Sequence, residues 1–240
     1  MKLTDLMDRA LFALSVPKCV CCNSKLDYGQ KAFCLKCSKE FKDFSTRNCS
    51  KCSKILSQCG CTNNFLESHF IKKTVKCYRY INRGNDTPAN ALIYSLKQDN
   101  RYDVVDLSSD LMIEALSNSF TDLSKCIFTN VPRRKSAIIE HGYDHSEVLS
   151  KEIARKTGAE YIKLLKSNAK KPQKTLETID RRKNADFVLI KNKDLKGKTV
   201  IIVDDIITSG SSISTAASLI RSLGCTDINA AVLAIAYKDE

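Results

Sequence analysis

Three features of the sequence predict an α/β fold, a mostly parallel sheet flanked by helices, set behind a small separate cysteine-rich module. Strand and helix patterns alternate from about residue 65, an apolar run at Val200–Val203 ends in two adjacent acids, and nine cysteines crowd between Cys19 and Cys61. A chain of 240 residues has room for one full-sized domain and something smaller. With 43% hydrophobic and 28% charged residues, it is composed like a chain that builds a packed core. The expected divisions are an N-terminal helix at 1–16, the cysteine module at 17–64 and the α/β domain at 65–240.

In chain order, NFLESHFIKKTVKCYRYI has β-branched and aromatic residues spaced like strands, and NRGNDTP breaks the pattern. Apolar periodicity then predicts helices at about 88–98 and 102–119 and a buried strand, CIFTNV, at 126–131. A basic interruption follows. Asp144 and Glu147 have the spacing of an acidic capping box, opening a helix that Gly158 closes. AEYIKLL reads as a strand, whereas 166–184 has little apolar periodicity and reads as a long surface loop of the kind that serves as a lid. Strands DFVLI and TVIIVDD, helix SSISTAASLIRSL with Gly224 as its cap, and strand INAAVLAIAY complete the pattern.

No apolar stretch approaches the roughly 18 residues of a membrane span, which argues against membrane insertion. The opening MKLTDLMDRALFALSV mixes Asp5, Asp8 and Arg9 into its apolar residues and reads as an amphipathic helix, not an export signal. A cytoplasmic protein is therefore expected, in which paired CxxC spacing means metal and not disulfides. The formal charge of +12 attracts polyanions. If eight thiolates hold two Zn²⁺ it falls to about +8 and stays basic.

Val200–Val203 is apolar at every position, as a central strand covered on both faces requires, and Asp204 and Asp205 follow directly. Ligands of open α/β sheets bind beyond the carboxyl ends of strands, so two acids there call for a ribose diol or Mg²⁺ to offset their desolvation and repulsion. Thr208, Ser209, Gly210, Ser211 and Ser212 then bring hydroxyls and amides to a helix start, where the dipole favours phosphate. Gly210 permits close backbone approach. No Walker A lysine stands here, which disfavours triphosphate hydrolysis and points to a monophosphate.

Val200 to Ser212 resembles the thirteen-residue signature by which type I phosphoribosyltransferases bind phosphoribosyl diphosphate (PRPP). The resemblance implies the type I phosphoribosyltransferase fold, a 5′-phosphate held by Thr208–Ser212, and Asp204 and Asp205 on the ribose 2′ and 3′ hydroxyls, directly or alongside Mg²⁺. A departing pyrophosphate must be neutralised by Mg²⁺, cations or amides. Val131, Pro132, Arg133, Arg134 and Lys135, at the end of a strand, match the fold's pyrophosphate loop and supply three cations.

The whole chain resembles the ComF family of competence proteins, which join an N-terminal zinc ribbon to a phosphoribosyltransferase-like domain. Val131–Pro132, HGYDH at 141–145, and Gln173, Leu176, Arg181 and Asn184 before the final loop carry this resemblance. Where the family has an RGFNQ-like segment, only Gly142 is kept; His141, Tyr143, Asp144 and His145 depart from it. His141 and His145, lacking the HExxH glutamate, read as surface or loop positions and not metal ligands. Lys97 matches a family lysine that ends a helix, a place the helix dipole alone also favours.

Cys19 and Cys22, eleven residues, then Cys34 and Cys37 have the spacing of two knuckles around a tetrahedral Zn²⁺. Cys49, Cys52, Cys59 and Cys61 form a second set with an irregular CxC, and interleaved pairing or a single ion stays open. Cys21 is a spare, and Cys77, Cys126 and Cys225 read as core thiols. Four-thiolate sites leave no open position for water, so the zinc is expected to be structural.

Two functions emerge. One is a Mg²⁺-dependent phosphoribosyltransferase that passes the ribosyl group of PRPP to a nucleophile. The other is a single-stranded DNA-binding protein that works with other DNA-uptake proteins in natural transformation, with a regulatory or vestigial PRPP site. For the second, the module offers Lys18, Lys25, Lys31, Lys36, Lys39, Lys51 and Lys54, with Tyr28, Phe33, Phe41 and Phe44 for base stacking. An amidotransferase is disfavoured because the N-terminal cysteine nucleophile of that class is missing: the first cysteine, Cys19, sits in a zinc motif.

Overall fold

The computed structural model describes residues 16–80, 87–168 and 187–236. Five parallel strands make the central sheet: β1 (Ile71–Arg79), β2 (Ile127–Asn130), β3 (Glu160–Tyr161), β6 (Thr199–Ile207) and β7 (Asp227–Ile235). Their spatial order is β1-β7-β6-β2-β3. The strand sequence reverses direction between β2 and β6, which is where an open parallel sheet leaves a crevice. β4 (Leu165–Ser167) and β5 (Phe187–Leu189) form a separate antiparallel pair.

The strands are apolar on both faces because both are covered. Ile201 and Val203 of β6 face one core, shared with α3 (Pro88–Gln98), α4 (Tyr102–Ser117) and α6 (His145–Thr157). Val200 and Ile202 face the other, shared with α7 (Ser211–Arg221) and the leucines around β4. α6 forms as its ends require: Asp144 accepts a hydrogen bond from Glu147 N, and Gly158 takes φ +69° after the last turn.

The structure departs from the sequence expectations in three places. NFLES is not strand but a short helix, α2 (Asn64–Ser68), because Asn63 caps it by accepting from Leu66 N at 2.8 Å. AEYIKLL is split between β3 in the main sheet and β4 in the hairpin. β6 does not stop at its acids; it stays paired with β7 through Ile207, while its pairing with β2 ends at Asn130 and Val203. The expected helix at 1–16, but for its last residue, and most of the expected loop at 166–184 lie outside the described residues.

The cysteine module is built from two like turns. Cys19 N donates to Ser24 O and Cys49 N to Lys54 O, both at 2.8 Å, and Asn23 and Ser53 take φ of 59° and 58°. The first turn packs on the α4 side: Cys19, Leu26, Phe33 and Phe41 join that core, while α1 (Leu35–Ser45) carries Cys37 and Phe41. The second packs on the α7 side through Cys49, Leu56 and Cys59. α2 spans the expected boundary at 64 and 65.

Charges fasten the first turn to the α/β domain. Lys31 Nζ lies 2.6 Å from Asp106 and 3.0 Å from Asp110, and Lys156 reaches the same two carboxylates at 2.5 and 2.7 Å. Burial works against the Asp106 charge, but Lys156 and Lys31 hold its carboxyl below the ordinary range. A depressed folded value stabilises the native state above about pH 4, and that contribution fades as pH falls through the depressed value. Asp106→Asn should cost roughly 1–3 kcal/mol in urea unfolding at pH 7 and less at pH 3.

Candidate functional site

Asp204 and Asp205 stand one and two residues past the point where β2 parts from β6, at the mouth of the crevice. Asp205 is buried; its Oδ2 lies 2.7 Å from Lys97 Nζ and its Oδ1 3.5 Å from His145 Nε2. Asp204 Oδ1 accepts from Ser146 Oγ at 2.9 Å and from Asp205 N at 3.0 Å. Two carboxylates this close share their ionisation unequally. Burial and then the Asp205 charge push Asp204 well above the ordinary carboxylate range. Burial also opposes ionisation of Asp205, but Lys97 and then His145 hold it well below that range.

Asp204 lines a small cavity with Ile206, Ile207 and Thr208–Ile213. Thr208 and Ser209 are exposed, and Gly210 precedes α7 with φ +81°, a conformation that favours glycine. Ser214 N bonds Gly210 O at 2.9 Å, as a first helical turn should. Among the described residues the amides of Thr208, Ser209, Gly210 and Ser212 have no backbone acceptor, and these residues line the cavity at the positive end of α7. The Ser209 and Ser211 hydroxyls sit 3.0 Å apart. The close approach at Gly210 is to protein: a Cβ there would lie 2.9 Å from Leu66 Cδ2.

The turn after β2 is bound into the same cluster. Val131 N donates to Val203 O at 3.0 Å, Pro132 is buried, and Arg133 N donates to Asp144 Oδ2 at 2.9 Å. Arg133 turns its guanidinium toward Lys97 O and Tyr143 O, at 3.2 and 3.4 Å. Arg134 stands at the N-cap position of α5 (Lys135–His141) without a side-chain capping bond, and the first residue of that helix, Lys135, is exposed. Gly142 ends that helix with φ +79°.

The segment that departs from the family pattern is woven into the site. Tyr143 donates to Leu96 O and accepts from Asn100 N, tying it to the end of α3 that carries Lys97. Asp144 holds the β2 turn and caps α6; His145 and Ser146, the first two residues of α6, reach the two aspartates. His145 is therefore no surface residue: it is buried, and its Nδ1 has no hydrogen-bond partner. Sequence reasoning passed over it because a capped helix start and a site wall give the same pattern. His141 lies beside Glu140 instead, at 3.8 Å. Gln173, Arg181 and Asn184 lie outside the described residues.

Two further clusters are made of cysteine. The ligand atoms of Cys19, Cys22, Cys34 and Cys37 lie within 4.8 Å of one another, as do those of Cys49, Cys52, Cys59 and Cys61. A tetrahedral zinc–thiolate centre places its sulfurs about 3.8 Å apart. Cys22 and Cys34 Sγ are at 3.6 Å, and Cys52 and Cys59 Sγ at 3.4 Å, so both sets fit the ion without interleaving. Cys21 falls outside both sets, and Cys77, Cys126 and Cys225 are buried. Lys76, also buried, puts its Nζ 2.6 Å from Cys61 O and 3.5 Å from Cys59 Sγ. A cation there offsets the negative charge of a four-thiolate centre. His145, Asp204 and Asp205 form a third group able to hold a cation.

The phosphoribosyl transferase domain model matches residues 145–240, the span from α6 through β7 that holds the acids and the loop. Fold and site thus define a protein with a phosphoribosyltransferase domain. The chain is 25% identical to Competence protein F of Haemophilus influenzae over 88% of its own length and 93% of that protein. Two four-cysteine clusters ahead of the domain add to this similarity to a ComF-type protein. Among solved structures it aligns with purine phosphoribosyltransferase from Pyrococcus horikoshii, with 20% identity over 55% of this chain and 73% of that one and a TM-score of 0.37. For adenine phosphoribosyltransferase from Thermoanaerobacter pseudethanolicus the values are 19%, 55%, 80% and 0.36.

Asp204 opposes folding where it ionises. Its folded value lies above the unfolded one, so its contribution is complete below about pH 4 and is lost as pH rises through the raised value. Asp204→Asn removes the repulsion and keeps the Oδ1 acceptor. The variant should melt about 2–4 °C higher than the unaltered protein at pH 8 and at nearly the same temperature at pH 4, read by circular dichroism.

Proposed function

We propose that this protein binds PRPP in the crevice between β2 and β6, with the 5′-phosphate on the amides and hydroxyls of Thr208–Ser212 and the ribose diol on Asp204 and Asp205. The observation that carries this reading is a buried Asp205 paired with Lys97, beside an Asp204 that lines the same cavity as helix-start residues whose amides have no backbone acceptor among the described residues. Ionised oxygens accept strong hydrogen bonds from hydroxyls, and amides at a helix start suit a phosphate dianion. Lys97 and His145 keep Asp205 ionised before the ligand arrives, so the acceptor is preorganised.

Asp204 and Asp205 would also hold the Mg²⁺ that accompanies PRPP, and the ion would neutralise charge on the departing pyrophosphate. The backbone of Val131–Lys135, fixed by the Asp144 carboxylate, borders the place where that group would lie. Transfer of the ribosyl group to a nucleophilic acceptor, with pyrophosphate released, is the reaction this arrangement supports. Binding is expected to strengthen as pH rises through the raised Asp204 value, because the protonated acid is a poorer partner for a cation.

A role in natural transformation is proposed from the name of the Haemophilus relative, and the charge of +12 supports contact with single-stranded DNA in the cytoplasm. Fewer aromatic residues are available for stacking than the sequence offers. Phe33 and Phe41 are buried, 5.2 Å apart, and Arg47 lies over Phe44, while Tyr28 is exposed.

Calorimetry of zinc-loaded protein with PRPP and Mg²⁺ should show binding at about millimolar Kd or tighter. Asp204→Asn combined with Asp205→Asn should abolish the heat; undiminished binding by that variant would exclude the site. Binding of single-stranded DNA, followed by fluorescence anisotropy, should weaken steeply between about 50 and 200 mM salt.

A further inference from the structure

α2, the helix that follows the second cysteine cluster, forms the back wall of the phosphate loop. A Cβ on Gly210 would meet Leu66 Cδ2 at 2.9 Å, Leu66 Cγ at 3.2 Å and Phe65 Cδ1 at 3.4 Å, so the loop lies directly against α2. Leu66 is wholly buried and cannot swing away into solvent. It belongs to one core with Cys49 and Cys59 of the second cluster and with Ile207 and Ile213, which flank the loop on either side.

The second cluster in turn fixes α2. The helix starts three residues after Cys61, and Asn63 caps it. Lys51, between two of the cysteines, donates to Thr62 O at 2.9 Å and to Asn64 Oδ1 at 3.1 Å. Lys76 holds Cys61 O from the sheet side. Displacing Cys59 and Cys61 therefore displaces α2, and with it the surface on which the loop is shaped. The first cluster packs in the opposite core, which among the described residues holds none of Thr208–Ser212.

We propose that metal at Cys49, Cys52, Cys59 and Cys61 sets the affinity of the loop for phosphate, with Leu66 as the positioning residue that transmits it. The inference rests on the reading of Thr208–Ser212 as the 5′-phosphate site. It makes the two zinc centres unequal: only the second is coupled to ligand binding.

Calorimetry on the full-length, zinc-loaded chain tests this with two probes, ribose 5-phosphate, which needs the loop, and pyrophosphate with Mg²⁺, which does not. Leu66→Ala should keep both zinc equivalents, weaken ribose 5-phosphate about tenfold or more, and leave pyrophosphate within about twofold. Leu66→Met should restore binding. Cys52→Ser, at an exposed ligand, should lose one zinc and the same affinity. Cys22→Ser, at the matching ligand of the first cluster, should lose one zinc and bind ribose 5-phosphate almost unchanged.

Folded Leu66→Ala that binds ribose 5-phosphate as tightly as the unaltered chain overturns the coupling while leaving the loop assignment intact. Equal weakening of both probes, or equal weakening by Cys22→Ser, also overturns it by showing general loosening. Failure of the unaltered chain to bind ribose 5-phosphate sinks the loop assignment, and the coupling with it.

Discussion

The rest of this site depends on one electrostatic constraint: two carboxylates next to each other in sequence, at the buried end of a strand, cannot both be charged without help. Lys97 and then His145 supply that help to Asp205. The pair is thereby split into one acid that is charged at rest and one that resists charging. Everything that brings Lys97 and His145 to the spot, from the Tyr143 hydroxyl on the end of α3 to the Asp144 cap of α6, serves that division.

Topology makes the place available. β6 carries the acids past the end of β2 while β7 continues to support it, so the backbone is fully bonded on one side and open on the other. A strand that ended at Asp204 would have left the acids on a loose turn. Because pairing runs on to Ile207, they are held on rigid backbone, and the loop begins from a fixed point. The two cysteine clusters brace this arrangement from opposite faces.

Much of this could be read from the residues. The apolar run at 200–203, the acids and the hydroxyl-rich loop are contiguous, and local order alone places them on a strand end and a helix start. The cysteine sets are likewise legible, since spacing within each CxxC is local and the turns that hold them repeat. What stayed hidden depends on distance along the chain. Lys97 could be matched to a family lysine, but its pairing with Asp205, more than a hundred residues away, could not be read, because the helix dipole explains its place equally well. His145 sat within a capping pattern that accounted for it without a ligand. NFLES misled because its cap, Asn63, precedes the segment and overrides side chains spaced like a strand.

The strand order carries a consequence for how the chain comes into being. β7 is the last of the five sheet strands in chain order, yet it lies between β1 and β6. Until residues 227–235 emerge, the sheet is two unjoined pieces with facing unpaired edges, a nascent state open to mispairing. A ribosome stalled before that point would leave a protein with a slot through its middle, its phosphate loop already made but β6 held only by β2, through Val203.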